Sequence, residues 1–134
     1  MSKPILCLDF DGVLHSYTSG WKGIDVIPDP PVEGAIAFLY EAICYFDVCI
    51  YSTRNETEEG IRAMQEWLFK WERVDRNERE KWGMAIERTG LLLNIRFPKT
   101  KPSAFVGIDD RVLTFNGTFP DMETLKDFKP WNKK

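Results

Sequence analysis

Ile5-Leu6-Cys7-Leu8-Asp9-Phe10-Asp11-Gly12-Val13-Leu14 is the stretch from which the fold is read. Four consecutive apolar residues run into an acid, and a second acid and a glycine follow. A short apolar run without polar alternation fits a strand covered on both faces, as in a parallel sheet. Residues 4–10 are therefore expected to form a first strand, with Asp9 and Asp11 at its carboxyl end.

The same signature recurs along the chain. Val48-Cys49-Ile50-Tyr51 runs into Ser52-Thr53-Arg54, residues 91–95 are apolar but for Asn94 and are expected as a third strand, and Ala104-Phe105-Val106-Gly107-Ile108 runs into Asp109-Asp110. Helical patterns separate these runs. Pro30-Pro31 is expected to open a helix with Val32, Ile36, Leu39, Ile43 and Phe46 on one face. Asn55 and Glu58 read as a capping box before a stripe of Ile61, Met64, Leu68 and Trp71. Asp75 and Glu78 repeat that box before Trp82, Ala85, Ile86 and Thr89, with Gly90 as the stop. Residues 112–115 are expected as a fifth short strand before the Asn116-Gly117 turn and 121–128 as a last short helix. The basic tail over 130–134 is expected to fray.

Strands alternating with helices predict an α/β domain with a mostly parallel, Rossmann-like sheet between helical layers, a three-layer α/β/α sandwich. The 134 residues fit one domain, 1–134. The net charge of −3 gives no broad field for nucleic-acid backbones or anionic membranes. Three cysteines without a CxxC spacing read as free thiols in a reducing, cytoplasmic setting. No apolar run approaches a transmembrane span. Trp67, Trp71 and Trp82 are assigned to packing rather than to a base-stacking platform.

In parallel α/β sheets the ligand site lies beyond the carboxyl ends of the strands. That rule places Asp9 and Asp11, Ser52 and Thr53, Lys101, and Asp109 and Asp110 on one rim. So many carboxylates together require a cation. Oxygen ligands in small number favour Mg²⁺ over Ca²⁺, and the calcium-loop spacing is missing because Val13 stands where a ligand is needed. Zinc is disfavoured, since His15 is the only histidine. Each residue alone has a plainer use: Ser52 as a helix cap, Lys101 as a solvated cation, Asp109-Asp110 as a turn. Their order after successive strands is what those uses leave unexplained.

These stretches resemble the haloacid dehalogenase (HAD) superfamily of phosphotransferases. Residues 6–14 look like its first motif, hhhDxDGhh. Residues 49–54 look like its second, Lys101-Pro102 like its third, and residues 105–110 like the Asp-Asp form of its fourth. The resemblance implies a Mg²⁺-dependent phosphatase working through an aspartyl-phosphate. Asp9 would be the nucleophile and Asp11 the general acid/base. Ser52, Thr53, Gly12 and Lys101 would bind the phosphoryl group, with Lys99 as a rival to Lys101. Mg²⁺ would be held by Asp110, the Asp9 carboxylate and the Asp11 main-chain carbonyl. Asp109 would orient Lys101 and water, and the split between Asp109 and Asp110 stays open. Asp at position 11 favours phosphatase over dehalogenase. Its acid role asks for a proton, which neighbouring acids are expected to hold on it.

The spacing between motifs leaves no room for a large cap, so residues 13–29 are the only expected flap; Tyr17, Trp21 and Lys22 are candidates to stack on or pair with a substrate there, and a turn packed on itself is the favoured reading. The implied partner is a phosphorylated small molecule or an exposed phosphate on a larger one, with no membrane. Two alternatives stand beside this reading. One is a nucleic-acid end phosphatase, because Ile108-Asp109-Asp110-Arg111 resembles the phosphatase part of polynucleotide kinase-phosphatases. The other is a non-catalytic HAD-like binding module.

Overall fold

The structure is a computed structural model and describes residues 2–74 and 90–133. Strands β1 (Ile5–Leu8), β2 (Asp47–Ile50), β3 (Ile95–Arg96) and β4 (Val106–Ile108) form one sheet in the order β3-β2-β1-β4. Every pairing is parallel, with Leu6 opposite both Val48 and Val106, and Val48 opposite Ile95. The chain is thus an α/β protein, as the unbroken apolar runs predict.

Helix α1 (Ala35–Tyr45) supplies the crossover between β1 and β2, and α2 (Glu58–Val74) leads from β2 towards β3. Parallel neighbours need such long connections. Ile36, Leu39 and Ile43 of α1 and Met64, Trp67 and Leu68 of α2 are buried in one core with Leu6, Leu8, Val48 and Ile50. Ile61 and Trp71 pack against that core from its edge, as do Val32 and Phe46. Trp67 is core, as expected. The expected stripe around Trp82 and the capping pair Asp75 and Glu78 lie outside the described residues.

Several elements differ from the sequence reading. The helix expected at Pro30 begins only after Gly34, which is left-handed at φ 85°. The prolines instead pair with the loop after β1: Ser16 N–H donates to Pro30 O (2.9 Å) and Val32 N–H to Leu14 O (2.8 Å). Residues 91–95 do not form a full strand. Leu92–Asn94 is a 3₁₀ turn, with the Asn94 side chain donating to Gly90 O at 2.8 Å. An Asn side chain that bonds nearby backbone offers the chain an alternative to a ladder. The buried Glu72 carboxylate also takes the Leu91 N–H at 2.9 Å. The capping box is made by Ser52 and Asn55 on the turn Thr53–Glu56, while Thr57 caps α2 through Gly60 N–H.

Residues 112–115 form no strand. They are exposed, and no described strand pairs beyond β4. Helix α3 is short, Met122–Lys126, capped by the Asp121 carboxylate on Thr124 N–H. The tail is docked rather than frayed: Pro130 is buried, and the Trp131 indole N–H donates to Gly12 O at 2.7 Å. Asn132 adds a longer bond to Ser16 O at 3.4 Å. The Trp131 side chain stays half-exposed, and its indole N–H finds its partner in the loop after β1. No helix among the described residues is long and apolar enough to cross a membrane.

Candidate active site

The ends of β1 and β4 are stitched by Asp9 N–H donating to Ile108 O at 3.0 Å. That bond sets Asp9 beside the pair that follows β4. Asp9, Asp109 and Asp110 each offer a carboxylate oxygen within 4.8 Å of the others. Asp110 Oδ1 is buried and has no partner. Asp110 Oδ2 presses on Gly12, filling the space a β-carbon would need. Gly12 has φ 86°, a conformation that glycine adopts without penalty. Its N–H donates to His15 O at 2.8 Å. Gly12 therefore serves the site by admitting Asp110, and its own N–H is already committed rather than offered to a phosphate.

The cluster perturbs Asp9. Burial pushes its carboxyl up to about 8; the Asp109 charge and the hydrogen bond and charge of Asp110 add to the rise, and the Phe10 N–H opposes it. Like charges this close cannot all ionise without a cation. An unpartnered buried carboxylate oxygen among three acids, with no nitrogen or sulfur in the set, fits a hard cation such as Mg²⁺.

Asp11 faces elsewhere. Its Oδ1 accepts from His15 Nδ1 at 2.8 Å, and its Oδ2 from Arg54 Nε at 3.0 Å. The expectation that neighbouring acids surround this carboxyl is not met: a guanidinium and an imidazole do. The side chain turns away because β1 has ended, and the pairing of Asp11 with His15 starts a tight loop.

Arg54, to which the sequence reading gave no role of its own, is fully buried. Besides Asp11, its Nη1 donates to Gly23 O and Ile24 O at 2.8 Å each. Its guanidinium lies 4.6 Å from the Trp21 ring. The clue in the sequence is its place, directly after a strand end that already carries Ser52 and Thr53. His15, left without a role, is fully buried as well. Its clue is the spacing of four residues from Asp11.

Asp9, Ser52, Thr53, Lys101 and Asp109 line one open cleft of about 730 Å³, together with Cys7, Tyr51 and Phe105. Lys101 reaches this cleft, whereas Lys99 pairs with Glu58 at 3.5 Å on the exposed surface. Cys7 feels the convergence. Burial raises its thiol pKa, the Lys101 charge opposes that rise, and Asp9 and Asp109 add to it. Ser52 has both uses weighed for it: its hydroxyl accepts Arg54 N–H at 3.1 Å as a cap, and it lines the cleft. Asn55 holds this corner by accepting from Ser52 N–H (2.9 Å) and donating to Ile50 O and Pro98 O.

The loop 13–29 is tied down along its length. Ser19 N–H and Oγ donate to the Asp29 carboxylate, Trp67 donates to Asp29 O at 2.9 Å, and Arg54 holds Gly23 and Ile24. Tyr17 sits in the loop at φ 62° with its ring edge-on to His15. Its hydroxyl pKa is raised by burial and by the Asp11 and Asp110 charges, against Arg54 and Arg111. Trp21 is half-exposed above Arg54. The segment is thus packed on itself and on the core, with Tyr17 near Asp11 and Trp21 over the buried arginine. No protein-family model, curated protein or solved structure matches this chain.

Proposed function

We propose that this chain is a Mg²⁺-dependent phosphatase of the HAD type, with the three-layer architecture and cytoplasmic setting of such enzymes. The observation that carries the reading is the convergence of Asp9, Asp109 and Asp110 at the cleft that Ser52, Thr53 and Lys101 also line. Asp9, Asp109, a lysine and hydroxyls in one cleft, with Asp110 beside the two acids, can hold a cation and offer the hydrogen-bond donors that a transferring phosphoryl group requires around its oxygens.

The Asp9 and Asp110 carboxylates and the Asp11 main-chain carbonyl would hold Mg²⁺, whose charge neutralises the phosphoryl oxygens. Asp9 attacks phosphorus and an aspartyl-phosphate forms on Asp9 as the leaving group departs; for Asp11 to give that group its proton, its carboxyl must first leave Arg54 and His15. Asp11 then takes a proton from water as that water displaces Asp9. Two easier displacements replace one hard hydrolysis. Ser52, Thr53 and Lys101 hold the phosphoryl oxygens, and Asp109, which accepts Arg111 N–H at 2.8 Å, orients Lys101 and water.

Purified protein screened against small phosphomonoesters and 3′- or 5′-phosphorylated oligonucleotides, with Mg²⁺ and with EDTA, tests the proposal. Mg²⁺-dependent phosphate release supports it, and a nucleic-acid end activity is read from the same plate. Silence on every substrate, with Mg²⁺ bound at the acids, would favour the binding-module alternative.

A further inference from the structure

Strand β4 has β1 on one side and no described strand on the other. All three of its residues are exposed, whereas no residue of β1 or β2 is. An apolar strand of a parallel sheet normally lies under cover, and an uncovered edge is a template for another chain. The apolar surface continues beyond the strand. Phe105 and Val112 line the cleft, Leu113, Phe115 and Phe119 line a second cavity of about 720 Å³, and Thr114 belongs to both. Phe105 is 76% exposed and Phe119 85%. The segment is built rather than loose. The Phe115 and Phe119 ring centroids lie 5.0 Å apart, and Thr118 N–H donates to Asn116 Oδ1 at 3.1 Å.

Charge narrows what can cover this face. Residues 102–108 and 112–120 contain no charged side chain, in a chain of which 29% is charged. A nucleic-acid backbone or an anionic bilayer needs Lys and Arg on the contact face. A second copy needs none, because a two-fold axis sets the same apolar patch against itself with no like charges opposed. Area agrees. At roughly 150–250 Å² for a whole aromatic side chain, and less for an aliphatic one, the exposed fractions on this face come to on the order of 800 Å². Monomers seldom expose contiguous apolar patches beyond a few hundred Å², and about 800 Å² is what each partner buries in a stable interface. The described residues that flank 75–89 lie at the opposite edge of the sheet: Leu91 N–H bonds the Glu72 carboxylate of α2, and β3 follows at Ile95. Strands β2 and β1 stand between that edge and β4.

We propose that the β4 face is the interface of a homodimer: a second copy of this chain covers Phe105, Val112, Leu113, Phe115 and Phe119 across a two-fold axis. The dimer goes beyond the phosphatase reading and does not depend on it. Because Phe105 and Val112 belong to the cleft as well, the surface of the second copy becomes one wall of it.

Sedimentation equilibrium of the purified full chain tests the proposal. The expected mass is twice 15.6 kDa, with association complete at about 100 μM. Leu113→Asp and Phe119→Asp each place a charge on the face and should weaken the dimer at least about 30-fold, the loss expected of a hot-spot residue. Both side chains are exposed, so circular dichroism should show each variant folded. Tyr45→Asp, at the exposed end of α1, should leave the dimer unchanged. A wild-type mass of 15.6 kDa at about 100 μM overturns the proposal, whether residues 75–89 or solvent then covers the face. So does a dimer that Leu113→Asp and Phe119→Asp leave as tight as wild type, which would place the interface elsewhere. Should a variant fail to fold, the wild-type mass decides. Each result stands whatever the phosphate-release screen shows.

Discussion

Asp110 occupies the space in front of Gly12 where any other residue would place a β-carbon. The acid pair after β4 and the loop after β1 are therefore fitted to one another, and this contact sets the depth of Asp110 in the site. Gly12→Ala should add left-handed strain at φ 86° and displace the carboxylate. The expected cost is about 1–3 kcal/mol of stability, with Mg²⁺ affinity and turnover lost together. Gly20→Ala carries the strain alone, since nothing lies near its β-carbon, and should keep Mg²⁺ binding. Mg²⁺ titration of both variants checks this. Wild-type binding by Gly12→Ala would show that Asp110 is not set by the contact.

Asp9 titrates near pH 8 in the metal-free fold against about 3.9 for an unfolded aspartate. Between those values the folded state binds more protons than the unfolded one, so metal-free stability falls as pH rises through that window and is intact below it. Asp9→Asn should remove this dependence, be more stable than wild type at pH 8.5 in EDTA, and have no turnover. Urea melts at pH 5 and 8.5 provide the check. A wild-type protein equally stable at both values would contradict the acid cluster.

Asp109 and Asp110 differ in what they already hold. The Asp109 carboxylate is exposed and accepts Arg111 N–H, whereas Asp110 carries a buried oxygen without a partner. Asp110→Ala should weaken Mg²⁺ binding by more than about tenfold, and Asp109→Ala by less, as expected for a ligand against an orienting neighbour. Calorimetric titration ranks them, and a reversed order would exchange the two roles.

Arg54 joins Asp11, the carbonyls of Gly23 and Ile24, and the Trp21 ring. Arg54→Ala leaves buried acceptors unpaired and should cost about 3–5 kcal/mol. Arg54→Lys should recover little, because an ammonium cannot reproduce the planar fork. Limited proteolysis should then cut within residues 13–29. A loop as resistant in Arg54→Ala as in wild type would show that Arg54 does not hold it.

The strands were legible where apolar runs are long: Leu6, Leu8, Val48 and Ile50 are buried as their pattern predicts. Boundaries failed where a side chain competes with backbone, as Asn94 does at β3, or where prolines join a ladder instead of a helix. Asp9, Lys101, Asp109 and Asp110 could be placed because each follows a strand end. Arg54 and His15 could not, because burying a cation or an imidazole depends on partners such as Gly23, Ile24 and Asp29, which only the folded loop brings near. The docking of Trp131 on Gly12 spans nearly the whole chain and left no local trace.

The central claim is covalent catalysis by Asp9. Its most direct test is the stereochemical course at phosphorus, followed with a phosphomonoester made chiral by oxygen isotopes and transferred to an acceptor alcohol. Two displacements, onto Asp9 and then off it, predict retention of configuration, with Asp9→Asn inactive. Inversion would mean a single direct displacement and would contradict the account.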